Sequence, residues 1–537
     1  MMRAIRQRKN LVRWMFFAAI IGVVFFVFVI SLLRGWRASS LSVQILRQPF
    51  TLDPSRMCTY EEKLIDGALY QSLMRYDPEK HLLEGELAEK WSVDKSGRTY
   101  TFVLRRGSRF SDGTPVTAWD VKYSWERVLD PKISSYGYLL RNVVGADERL
   151  SGSCQEVKGI QVVDDKTVRV TLEETDWTFP VVVSSPVLAV VKRDVAERIG
   201  TRYGKRGTRI VGSGPFRLVR WNKEMILLKR NRFFVSPGPS LSFLRFYAVS
   251  DQQKIRGLFE RGKLDVLAGV PAQFLLSRTE DARIGFKIVR RPVLSIYFLG
   301  FNLRKEPIRS NVELRRGIAQ AIDKQQMKEL LLGEGGKILT GLLPLELLSE
   351  NQDVGNYQFS KEVALKTLSK AGFPYGLGLQ PLVFAYNDSP GNEIVARLIQ
   401  EQLDQVGIDV NLRRIPWSRY QSEIRSGDVH FFRLGWEADY PEAGNLLYNI
   451  FPRYPDDRNN YTGYYNKDFD QLLLDARLEP DPHRRDEIYR MAAQILSSEM
   501  PVIPLFQKVA TFYLSDRVKC FGVDLLGRVD FSRITTK

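Results

Sequence analysis

Histidine is scarce: the 537 residues hold three, His81, His430 and His483, and no two of them stand four apart. A metal site built on imidazole has almost no material here, and metal-assisted hydrolysis goes with it. Cysteine is as sparse, with Cys58, Cys154 and Cys520 far apart and no Cys-x-x-Cys pair, which excludes thiolate zinc sites. One disulfide plus a free thiol, or three unpaired thiols, both stay open. No low-complexity tract or Gly/Ser-rich linker interrupts the chain, so a string of flexibly tethered domains is excluded. A dense basic stripe is also missing: of the net charge of +17, seven positive charges fall in the acid-free first forty residues, and the rest are interspersed with acids. That pattern speaks against nucleic-acid binding.

Catalytic motifs are equally thin. Gly212-Ser-Gly-Pro lacks the Lys-Ser/Thr ending of a phosphate loop and the Gly-x-Ser-x-Gly frame of a nucleophile elbow, so Ser213 reads as structural. The acid pairs Asp164-Asp165 and Asp456-Asp457 sit in turn-like settings where carboxylates are ordinarily solvated. The chain therefore reads as a non-enzyme without cofactor.

What is present begins with Trp14 to Leu33, an uncharged apolar run long enough to cross a hydrocarbon core of ~30 Å as a helix. Five basic residues precede it and only Arg34 and Arg37 follow closely, so the positive-inside bias sends the remainder of the chain out of the cytoplasm. Bulky Trp36 stands where a cleavage site wants a small residue, so the run is expected to stay as an anchor. Downstream, alternation predicts strands at Leu41–Ile45, at Tyr100–Leu104 and as a hairpin over Ile160–Leu172, and helices at Glu61–Leu73 and from Asp120 to Leu129. The later half alternates. Strands are expected at 382–386, 408–412 and 429–434. Helices are expected at 312–332, from an Asn392 cap to Gly407, and at 361–371, 468–476 and 485–498, which is the pattern of an α/β lobe.

The stretch from Ala88 to Val121, with Trp91, Tyr100, Phe102 and Leu104 as apolar anchors and the turn Asp112-Gly-Thr-Pro, resembles the diagnostic segment of family 5 extracellular solute-binding proteins. This group comprises the oligopeptide- and dipeptide-binding components of ABC importers. Further blocks follow in the family's order: Gly212-Ser-Gly-Pro-Phe, Phe301-Asn-Leu, Leu314-Arg-Arg-Gly-Ile-Ala-Gln-Ala-Ile-Asp, Ala364–Phe373, Trp436-Glu-Ala-Asp-Tyr-Pro and Pro501-Val-Ile-Pro-Leu-Phe.

The resemblance implies a two-lobed α/β periplasmic-binding-protein fold, type II-like, with an extra β-rich subdomain behind the transmembrane helix. The expected division is a cytoplasmic basic segment (1–13), an anchor or uncleaved signal (14–33), a base lobe (41–85, 206–290 and 504–537), the β-rich subdomain (86–205) and a second α/β lobe (291–503). Crossovers near 286–298 and 501–506 are the expected hinges. The implied partners are a peptide ligand, ABC permease subunits and the inner membrane through the amino-terminal helix, with the main domain a periplasmic monomer. A non-peptide solute (a nickel complex, haem, an opine or a sugar) and a repurposed sensor or assembly factor remain alternatives.

By the same resemblance, Asp439 in the Trp-x-x-Asp-Tyr motif is expected to take a peptide's α-ammonium. Arg433, Gly435, Trp436 and Glu437 belong to the strand that pairs with an extended peptide backbone, and Trp417 with Trp436 lines side-chain pockets. Arg433 can take a carboxylate, Tyr136 in Ser134-Ser-Tyr-Gly-Tyr lines the site, and Phe506 lies at its floor.

Overall fold

The computed structural model describes residues 39–77, 80, 82–235, 238–269, 286–347, 358–426, 428–452 and 459–537. The expected anchor at 14–33 and basic segment at 1–13 lie outside them, as do His81 and Asp456-Asp457. Among the described residues no helix is long and apolar enough to cross a membrane.

An eleven-stranded sheet runs through the molecule. Its strands used below are β1 (Ser40–Ile45), β2 (Phe286–Phe301), β3 (Leu382–Asn387), β4 (Val410–Ile415), β5 (Phe431–Glu437) and β6 (Val502–Ser515). The order β4-β3-β5-β2-β6 continues through Val266–Ala268 and β1 to three further strands ending at Phe216–Trp221. Two of these strands are unusually long, β2 with 16 residues and β6 with 14. They are antiparallel partners over most of their length, and their register slips between Pro292 and Ile296. Proline cannot donate to a ladder, so a slip beside Pro292 is where such a pair bends.

Two hydrophobic bodies meet on this strand pair. Along β2, Val293 belongs to the core that includes Leu41, Leu64, Phe102 and Trp125, whereas Leu294 and Ile296 belong to the next. Along β6, Phe506 packs with the later residues and Ala510 with the earlier ones. The first core also covers a four-stranded antiparallel sheet of Ala88–Val93, Thr99–Leu104, Thr167–Thr171 and Ile160–Asp164. Tyr100, Phe102 and Leu104 are fully buried there, with Phe179 5.1 Å from Tyr100 ring to ring. Burying each such ring contributes about 1.5–3 kcal/mol. Trp91, expected as a fourth anchor, is instead 42% exposed, because it lies on the edge strand of that sheet.

Local chemistry moved several expected boundaries. Helix α1 (Tyr60–Leu69) starts with a capping box in which Thr59 and Glu62 exchange bonds, and it stops four residues before the expected Leu73. It stops because Gly214 N donates to Leu69 O at 2.9 Å, and the Gly212 Cα lies so close that a Cβ there would stand 2.0 Å from that carbonyl. The Gly-Ser-Gly motif is thus a helix stop, and Ser213 is buried behind it. Thr117 and not Asp120 caps helix Ala118–Val128; Asp120 is the third residue, returning its carboxylate to Thr117 N at 2.9 Å. Ser389 and not Asn392 caps helix Pro390–Asp404. The single helix expected over 312–332 is two, Val312–Ala321 and Lys324–Leu331, because Asp323 caps the second.

Candidate ligand site

Strand β5 carries most of the candidate residues. Its seven residues all pair with β2, from Phe431 opposite Phe301 to Glu437 opposite Ser295. On its other side the register with β3 covers only Phe431 and Phe432. The edge from Arg433 to Glu437 therefore extends past β3, and Gly435 lies midway along it, opposite Tyr297. An extended chain can add to an edge of this kind through main-chain bonds alone.

Just beyond the strand, Asp439 is 7% exposed. Its Oδ2 accepts a hydrogen bond from Tyr138 Oη at 2.5 Å, and its N–H donates to Asn445 Oδ1 at 3.3 Å. Burial pushes the Asp439 carboxyl above its ordinary value, although the Lys63 ammonium and the Tyr138 hydroxyl pull it back. Glu437 accepts from Lys63 Nζ at 2.8 Å, and that ammonium holds the Glu437 carboxyl below its ordinary value. Tyr136, its ring centroid 6.3 Å from that of Tyr138, donates to Met57 O at 2.5 Å. Asp439, Glu437, Lys63, Tyr138 and Tyr136 thus form one polar cluster, with the acids carried by β5 and its exit and the other three supplied by the first body.

At the other end of the strand, the Arg433 guanidinium lies 4.3 Å from the Tyr297 ring centroid and donates to Asn387 Oδ1 at 2.8 Å. Among the described residues it meets no carboxylate, and its buried Nε has no partner. Phe506 is 3% exposed and backs the Tyr297 ring from 6.1 Å, so it supports the site from beneath and presents no surface to a ligand. Trp417 opens helix α2 (Trp417–Ser426), is 53% exposed and stacks on Tyr420 at 5.9 Å. Trp436 is half-buried, packs against the second core and turns its Nε1 toward Asn445 Oδ1 at 3.4 Å. The same Asn445 oxygen serves Asp439, so Trp436 and Asp439 share one orienting side chain.

Two members of the acidic cluster escaped the sequence reading. Tyr138 stands two residues from Tyr136 in the quoted motif, but its partner lies 301 positions away. Lys63 is a cation on a helix otherwise acidic and apolar on that stretch, a signal that acquires meaning only opposite Glu437. His430 is packed: its Nδ1 accepts from Val383 N at 2.9 Å, and burial lowers its pKa to about 4. A separate cavity of about 370 Å3 is lined by Asp66, Tyr70, Arg75, Glu86 and Arg528 among others and by none of the candidate residues. The three cysteines are free thiols, and no group of three potential metal ligands occurs among the described residues.

Residues 83–457 match the family described as bacterial extracellular solute-binding proteins, family 5, middle. The oligopeptide-binding protein OppA of Bacillus subtilis is 26% identical over 509 residues, 92% of each chain. Heme-binding protein A of Haemophilus influenzae is 26% identical over 84% of each chain. The structure of HbpA2 from Haemophilus parasuis superposes with a TM-score of 0.80 at 22% identity, covering 93% of this chain and all of that one, and establishes the periplasmic-binding-protein fold.

Proposed function

Because the chain belongs to the bacterial extracellular solute-binding proteins of family 5, and is therefore a binding protein and not an enzyme, we propose that it captures peptides and hands them to an ABC permease. The main domain works outside the cytoplasm, and residues 14–33 tether it to the inner membrane. The peptide lies between the two bodies, with its α-ammonium on Asp439 and its backbone along the exposed edge of β5. The observation that carries this reading is the buried Asp439 carboxylate, oriented by the Tyr138 hydroxyl, on a residue whose backbone N–H is held by Asn445 Oδ1 at the end of a strand edge left open to pairing.

Such a site is generous by construction. Main-chain pairing ignores side-chain identity, and affinity comes from one desolvated charge pair plus repeated backbone bonds. From Arg433 to Asp439 is about 20 Å of extended chain at ~3.3 Å per residue, so a peptide that reached Arg433 with its carboxylate would be roughly six residues long. Closure follows from bending of β2 and β6 where the two cores meet, with a base lobe (41–85, 206–290, 504–537) and a second lobe (291–503) trapping the ligand.

The test is thermal unfolding of the purified full chain with peptide libraries of about two to eight residues and with amino-terminally acetylated copies, since a ligand at a hundred times its Kd adds about 2.7 kcal/mol. Free-amine peptides raise the Tm and acetylated ones do not. A rise with haem but with no peptide would overturn the peptide reading and assign the site to a non-peptide solute.

A further inference from the structure

The acidic cluster contains two carboxylates but one site for an ammonium, and the difference is made up by a residue of the protein itself. Lys63 projects from α1 with its side chain 17% exposed, and its Nζ lies 2.8 Å from Glu437 Oε2. The Asp439 carboxylate is already met by one neutral donor, the Tyr138 hydroxyl, while its own N–H donates to Asn445 Oδ1. Tyr136 has its hydroxyl engaged on Met57 O. Lys508, from β6, also reaches the field of Glu437, but its ammonium lies 5.0 Å from the Tyr60 ring centroid and has no ion pair among the described residues. Charge counting is then simple: Glu437 and Lys63 cancel, and Asp439 is left with a single negative charge.

Resting on the peptide reading above, we propose that Lys63 is a specificity-determining residue that neutralises Glu437, so that the site accepts a ligand with one positive charge at its amino end and discriminates against a second. A peptide beginning with Ala or Glu brings one ammonium to Asp439 and leaves Lys63 on Glu437. A peptide beginning with Lys or Arg brings two cations, and its side chain meets a carboxylate already occupied and an ammonium of like sign. Like charges that remain close in a partly desolvated site are mutually repelled, and the repulsion is larger than between groups in open water. Lys63 is thus an internal stand-in for a cationic first side chain.

The decisive quantity is a ratio. The full chain and its Lys63→Met variant are titrated calorimetrically with Ala-first and Lys-first peptides of otherwise identical sequence, at low and moderate salt. Lys63→Met shifts the affinity ratio toward the Lys-first peptide by about tenfold, and added salt reduces the shift. Lys63→Arg retains the wild-type ratio, and the double variant Lys63→Met/Glu437→Gln restores it, because the released carboxylate is gone. Lys63→Gln, which keeps a polar side chain, repeats the measurement should the methionine variant fold poorly. Peptide binding with an unchanged ratio in both neutral variants overturns the role of Lys63 while leaving peptide capture intact. Failure of the wild type to bind either peptide overturns the reading on which it rests.

Discussion

Burial raises the Asp439 carboxyl above its ordinary value, and the sign of this shift has consequences at the level of single residues. A folded-state pKa above the unfolded one means that the native chain holds the proton more tightly. The associated stability is present below the unfolded value of about 3.9 and is lost as pH rises through the folded value. Asp439→Asn removes that loss, so the variant melts at or above the wild-type temperature at pH 7, and the gap closes as pH falls to about 4. Peptide affinity goes the other way: the substitution costs about 3–5 kcal/mol, more than a hundredfold, measured by calorimetry. Wild-type affinity traces a bell against pH, falling on the acid side above the ordinary carboxylate range and on the basic side as the peptide amine loses its proton near pH ~8. Tyr138→Phe removes the donor to Oδ2, weakens binding by about 0.5–1.5 kcal/mol and moves the acid limb of that bell to higher pH.

At the scale of elements, the informative feature is the mismatch between β5 and its two neighbours. β2 accompanies β5 along its whole length while β3 leaves it after Phe432, and a ligand that completes the sheet bonds through every second residue. An N-methyl scan along a bound peptide therefore shows alternation: methylation at one set of positions costs about 0.5–1.5 kcal/mol each, and at the other set almost nothing. Uniform losses along the scan would mean that the ligand does not add as a strand. The strand was legible over 429–434 from its local pattern, whereas its continuation through Gly435, Trp436 and Glu437 was indicated only by the family resemblance. Glycine at 435 and charge at 437 are poor strand formers, and pairing with β2 overrides them.

For the whole molecule, the cores meet on two long strands and not at a linker, which agrees with the lack of any compositional break. No disulfide joins the parts: Cys58, Cys154 and Cys520 are free thiols. Dithiothreitol accordingly leaves the Tm of the full chain unchanged, and thiol titration in denaturant without reductant counts three. A fall in Tm on reduction would show a disulfide that the fold does not contain.

The order of elements, the turn residues and the blocks from Ala88 to Phe506 were readable along the chain, because helix and strand periods, caps and family motifs are properties of neighbours in sequence. Even there the local competition between caps was resolved by geometry, as where Ser389 took the place expected of Asn392. Asp439 and the strand before it could be named in advance because they share one motif. The donor that orients Asp439, the lysine that neutralises Glu437 and the burial that raises the carboxyl were decided by tertiary structure alone. Tyr138 and Lys63 reach those acids across more than 300 positions, and the electrostatics of a group depend on what surrounds it in space, not on what precedes it in the chain.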